Sequence, residues 1–153
     1  DVTESPTGDK RSEQFEDSYL DELFLVLKDI GFQAVTYMPP RNTADQIKRI
    51  QELISKHGMM EISGVDINSS RQSFRCPELL ESTSAHLVDA AWALVAHEKL
   101  STQDRKWGIF SQENPLADLP LAQLISRYSR VGRSMDHSQP QGVTDYIEEL
   151  YHE

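Results

Sequence analysis

Between Gln33 and Val65 the hydrophobic pattern of this chain changes period twice, and that change restricts its topology more than any other feature. Gln33–Met38 (QAVTYM) is β-branched and aromatic, as a strand prefers, and Pro39-Pro40 ends it because proline cannot donate to a ladder. Thr43-Ala44-Asp45-Gln46 has the spacing of a capping box, with Asp45 favoured in the first turn. Ile47, Ile50, Leu53 and Ile54 then form one apolar stripe at helical spacing, and Gly58 is placed to close the helix. Met59–Val65 (MMEISGV) is a second, mostly apolar strand. Two strands joined through a helix are expected to run parallel, because a tight hairpin joins only antiparallel strands. The fold class is α/β.

Two parallel strands cannot form a stable sheet alone, since both faces of such a sheet need cover. The βαβ unit is therefore expected to belong to a larger sheet, completed by a missing N-terminal half or by a sister chain. Residues 1–11, rich in Pro, Gly, Ser and charge, read as a disordered lead-in. No Met opens the chain, which is expected to continue upstream of Asp1.

Residues 12–80 carry the βα units. From Ser12 to Ile30 the positions Phe15, Tyr19, Leu20, Leu23, Phe24 and Leu27 keep helical spacing, and Gly31 follows as the C-terminal cap. Residues 81–132 form a helical segment expected to pack on those units. It contains an Ala-rich helix over Ala85–Leu100 and a helix from Leu119 to Val131 capped by Gly132. Residues 133–153 read as a linker and a short terminal helix over Val143–Tyr151.

With 25 acidic against 15 Lys and Arg residues, a net charge of −10, the chain lacks the basic surplus that binds nucleic acid or anionic membranes. No apolar run reaches the roughly 18–20 residues that span a bilayer. The single cysteine, Cys76, has no disulfide partner, which suits a reducing, cytoplasmic setting. Pro77 follows it and no His is near in sequence, so it is a poor candidate nucleophile.

The second strand opens into Gly64-Val65-Asp66-Ile67-Asn68, a polar loop continuing to Arg71 and Phe74. Polar side chains just past the end of a buried strand are where α/β proteins place ligands and catalytic groups. Asp and Asn there are also ordinary turn formers that bond to their own backbone.

Strand, helix and strand ending in Gly-x-Asp-x-(polar) resembles the last motif of the PHP superfamily, the polymerase and histidinol phosphatase metallo-phosphoesterases. Gly31-Phe32-Gln33-Ala34-Val35, Pro39-Pro40, Gly58 and Ile62-Ser63-Gly64 fit the same run, so the resemblance covers roughly Leu20 to Phe74. It implies a distorted TIM-like barrel of βα units with a metal site at the carboxyl ends of the strands. It also implies a divalent metal cofactor (Mn, Mg or Zn) and a small phosphorylated substrate.

The family motif ends in His where this chain has Asn68, and an Asn carbonyl suits Mg, Mn or Ca better than Zn. The family's His-x-His and its middle Glu and His ligands are not in this sequence, and no pair among His57, His86, His97, His137 and His152 has that spacing. The chain thus resembles the C-terminal part of a PHP-like protein.

On that resemblance Asp66 is the expected catalytic metal ligand, with Asn68, of the same parity, beside it. Arg41, Asn42 and Arg71 are the expected substrate holders. Arginine forks suit phosphate, and Arg41-Asn42 leave the first strand where the Thr43 helix presents its N-terminus. The rival expectation is a non-catalytic PHP-like domain that binds an anionic ligand or serves as a protein-interaction module.

Other residues are secondary. His97 with Asp89 eight residues earlier is more simply a helix-end cap or a packed residue than a ligand. His86 reads as helix surface, and His137 and His152 as solvated tail. Trp92, Trp107 and Phe110 read as core or interface anchors. Glu61 falls on the opposite parity from Asp66 and is set aside.

Overall fold

Two glycines set the order of the first elements. The structure, a computed structural model, describes residues 18–65, 67, 70, 74–136, 138 and 143–152. Helix α1 (Leu20–Asp29) ends at Gly31, whose φ of 91° lies in the region favouring glycine. The Phe32 amide donates to Leu27 O (2.9 Å) and the Gly31 amide to Lys28 O (3.1 Å), the paired bonds of a Schellman turn. Helix α2 (Ala44–His57) ends the same way at Gly58, φ 61°, with Met59 N donating to Ile54 O at 3.1 Å. Each turn delivers the chain into a strand, β1 (Ala34–Tyr37) and β2 (Met60–Ser63) respectively.

The strands pair in parallel with Ala34 opposite Met60 and Tyr37 opposite Ser63, as the crossover requires. They are shorter than the sequence expectation because neighbouring turns take the outer groups. Met38 O accepts from the Arg41 and Asn42 amides (2.9 and 3.0 Å), and the Met59 amide is held by α2. The α/β class holds. Among the described residues the sheet has two strands and no barrel is formed.

The chain divides into two compact units, Asp1–Leu87 and Val88–Glu153. The first packs Phe24, Tyr37, Leu53, Ile54, Met59 and Leu87 into one core. Its long helix starts as the sequence indicates. Thr43 Oγ1 accepts from Gln46 N (3.3 Å), and the Thr43 amide donates to Gln46 Oε1 (2.9 Å). Thr43→Ala removes the acceptor of one of these bonds and is expected to cost about 1 kcal/mol, read as a lower urea midpoint.

In the second unit, α3 (Ala85–Gln103, its first turn in the other unit) buries Ala90, Ala93, Ala96 and Leu100. Helix α4 (Leu121–Ser134) buries Leu124, Tyr128 and Val131. It begins two residues later than the sequence suggested, since Pro120 O takes the first helical amides.

Gly132 is not its cap. The helix runs on to Ser134, and a Cβ at Gly132 would lie 2.1 Å from Trp92 O on α3. The glycine is there to permit helix contact, not to end a helix.

The terminal segment forms two 3₁₀ turns, Val143–Tyr146 and Glu148–Tyr151, not one helix. The second is tied to α4 by Arg127 Nη1 donating to Leu150 O at 3.0 Å. The lead-in expected over residues 1–11 lies outside the described residues, as does most of the expected linker beyond Asp136.

Candidate functional site

Parallel pairing puts the carboxyl ends of β1 and β2 at one end of the sheet. The turn 38–43 and residues 64–65 leave from there, and so does the capped start of α2. Asp66, Asn68 and Arg71 lie outside the described residues. Asn42 is part-buried, and its Oδ1 accepts from the Met38 amide at 3.2 Å, so that oxygen closes its own turn. Arg41 shares the turn.

Asn42 and Ala44 line a cleft of about 370 Å³, with Tyr37, Lys48, Glu78, Glu81 and His86 among its other walls. Arg41 does not line it. Glu78 and Glu81 come from the segment of two 3₁₀ turns, Pro77–Leu80 and Ser82–Ser84, that leads into α3.

At the inner wall four polar side chains from four elements meet. Because Val35 pairs with Glu61 and Tyr37 with Ser63, Tyr37 and Glu61 share one sheet face. The Tyr37 hydroxyl donates to Glu61 Oε2 at 2.7 Å, and Gln51 Nε2 on α2 donates to the Tyr37 oxygen at 3.0 Å. His86 Nε2, from the first turn of α3, sits 3.0 Å from the same carboxylate oxygen and 3.3 Å from the tyrosine oxygen.

Burial, and then the bond to Glu61, push the Tyr37 phenol well above its ordinary range. Tyr37 is therefore a fixed neutral donor and not a base. A carboxylate only accepts hydrogen bonds, so the hydrogen between the two groups lies on Nε2, and in the neutral imidazole the lone pair is then on Nδ1. The imidazole is about two-fifths exposed, so the His86–Glu61 pair contributes less than about 1 kcal/mol to stability. A second, more open groove is lined by Lys48, Gln51, Lys56, Glu61 and His86, so the cluster borders two hollows.

By sequence alone Glu61 falls on the opposite parity from Asp66 and His86 on a helix surface, yet the fold brings the two together. A signal for Glu61 existed, because it is the only charged residue in the apolar run MMEISGV. His86 had none, since it arrives from 25 residues further along the chain.

The other candidates find structural uses. His97 Nδ1 accepts from the Ile109 amide at 3.0 Å, and burial lowers its pKa, as suits a neutral acceptor. Asp89 does not join it and takes hydrogen bonds from Ser129 (3.0 Å) and Arg133 (2.8 Å). Trp107 is buried, with its ring edge-on to Tyr151 at 6.5 Å, and Arg133 lies over the Trp92 ring at 5.7 Å.

Cys76 donates to Glu78 Oε2 at 3.4 Å, and burial followed by that carboxylate raises its pKa. The thiol is thus kept protonated. His152 O accepts from Arg130, and His137 lies outside the described residues. Among the described residues no group of three or more His, Cys, Asp or Glu side chains can hold a metal ion. Among them, too, no helix is long and apolar enough to cross a membrane.

No known protein family, curated protein or solved structure matches this chain.

Proposed function

We propose that this chain is the C-terminal portion of a PHP-like hydrolase that cleaves a small phosphoester. The observation that carries this reading is the parallel register of β1 and β2. It brings the turn of Arg41 and Asn42, the capped N-terminus of α2 and the strand leading into Asp66 to one end of the sheet, beside a cleft. Helix N-termini favour anions, and Lys48 adds a cation to the same cleft.

The described residues alone do not fit a divalent ion, and no step is assigned to one. In this reading Asp66 and Asn68, oxygen donors suited to a hard cation, hold it together with ligands from outside residues 1–153. The bound ion would neutralise charge on the phosphoryl oxygens. The partner is the upstream half of the protein or a sister chain. Exposed apolar residues on α1 and at its C-terminal cap support such a partner: Leu23, Val26 and Ile30 are between 47% and 63% exposed.

The test is hydrolysis of p-nitrophenyl phosphate by the full-length protein supplied with Mn or Mg, wild type against Asp66→Ala. The variant is expected to lose about 100-fold or more in rate, the order seen when one electrostatic group of a site is removed, together with bound metal by elemental analysis. Equal rates and equal metal in the two proteins would overturn the proposal.

A further inference from the structure

We infer that His86, held by Glu61, is the general base of a proton-transfer site at the cleft, acting on the water that attacks the phosphoester. The inference rests on the phosphoester reading above but on different residues from those of the strand-end loop. Three observations carry it.

The first is the arrangement of the pair. A carboxylate bonded to one imidazole nitrogen fixes both tautomer and ring orientation, and leaves the other nitrogen as the base. Here Glu61 Oε2 lies 3.0 Å from Nε2, and His86 Nδ1 makes no hydrogen bond among the described residues. The second is rigidity. Glu61 is gripped by the buried, neutral Tyr37 at 2.7 Å, and Tyr37 in turn by Gln51 at 3.0 Å, so the carboxylate is set by β1, β2 and α2 together. A site held on rigid elements keeps the geometry that proton transfer demands. The third is access, since His86 lines both hollows and Lys48, which lines both as well, can hold an anionic group.

The step balances without further reactants. Nδ1 takes a proton from water as the water oxygen bonds to phosphorus. The bond from phosphorus to the leaving oxygen breaks, and its electron pair departs on that oxygen. The imidazolium, stabilised by Glu61 through Nε2–H, then gives its proton to the leaving group or to solvent. Imidazole suits the task because one ring nitrogen can accept a proton while the other stays hydrogen-bonded to the carboxylate. The charged groups facing it are Glu61 and Lys48 with Glu52, Lys56, Glu78 and Glu81 around the two hollows.

The experiment measures p-nitrophenyl phosphate hydrolysis by the full-length protein across pH 5 to 9 for wild type, His86→Gln, His86→Ala, Glu61→Gln and Asp66→Ala. His86→Gln is expected to lower kcat about 100-fold with KM within about threefold, and to remove the acidic limb of the kcat profile. Glu61→Gln, which leaves the base but misorients it, is expected to lower kcat about tenfold. Free imidazole is expected to restore much of the activity of His86→Ala, a rescue that a purely structural role would not show.

A folded His86→Gln protein with wild-type kcat and pH profile, beside an inactive Asp66→Ala, overturns the base and leaves the hydrolase reading standing. Loss in His86→Ala that imidazole does not relieve also overturns it. Full activity in Asp66→Ala with loss in His86→Gln keeps the base and removes the metal-dependent reading. A wild-type protein inactive with Mn, Mg and Zn alike removes both.

Discussion

Gly132→Ala should destabilise the second unit by about 3 kcal/mol, although alanine is the better helix former. Two effects oppose each other at this position. Glycine inside a helix costs about 1 kcal/mol relative to alanine, so propensity alone predicts a gain. Against it, the added Cβ would sit 2.1 Å from Trp92 O and 2.9 Å from Trp92 C. Both are backbone atoms of α3, so no rotamer change relieves the clash, and ordinary contact begins only near 3.4 Å.

Helices α3 and α4 must separate by about 1 Å, which loosens the packing around Ala93, Ala96, Tyr128 and Val131, all fully buried. Interiors packed at crystal-like density tolerate such expansion poorly. Denaturant unfolding of Gly132→Ala against Ser126→Ala, a change at an exposed position of the same helix, measures the difference. The control should stay within about 0.5 kcal/mol of wild type. A Gly132→Ala protein as stable as wild type would mean that the helices do not approach this closely.

Asn114 is the second position where a single change should be felt strongly. It is 4% exposed and lies in the loop between α3 and α4. Its Nδ2 donates to Gly108 O (2.9 Å) and to the Tyr128 oxygen (2.8 Å), while Oδ1 accepts from the Leu116 amide (2.9 Å). Tyr128 passes the connection on by donating to Trp107 O at 2.6 Å. This network does for a buried loop what a ladder does for a strand, and burial has pushed the Tyr128 phenol up to about 12.

Asn114→Ala leaves the buried Leu116 amide without its partner and removes one hydrogen bond each from Tyr128 and from Gly108 O, which still accepts from the Ser111 amide at 3.0 Å. The unpaired amide alone costs about 1–3 kcal/mol, so with the two weakened acceptors a loss of about 2–3 kcal/mol is expected. Asn114→Asp, nearly isosteric, keeps the acceptor for Leu116 but turns an acceptor toward Gly108 O. It should lose at least as much at neutral pH, and less as the carboxyl protonates on acidification. If both variants unfold within about 1 kcal/mol of wild type, the loop is not held by this side chain.

The elements that the sequence determined by itself are those whose causes are local. Gly31 and Gly58 end their helices because left-handed backbone is cheapest for glycine. Thr43 and Gln46 start α2 because they satisfy its free amides within four residues. The 3.6 and 2.0 periods between Gln33 and Val65 then required a parallel β–α–β unit.

Tertiary structure decided the features whose causes lie far apart in the chain. Gly132 looks like a cap in sequence and is a contact point, because its neighbour, Trp92, is 40 residues away. Glu61, an unpromising charge in an apolar strand, gains Tyr37 and His86 from separations of 24 and 25 residues. A hydrogen bond of 3 Å depends on the angles of every turn between its partners. Sequence periodicity fixes which face a side chain occupies, but only the folded chain fixes what stands opposite.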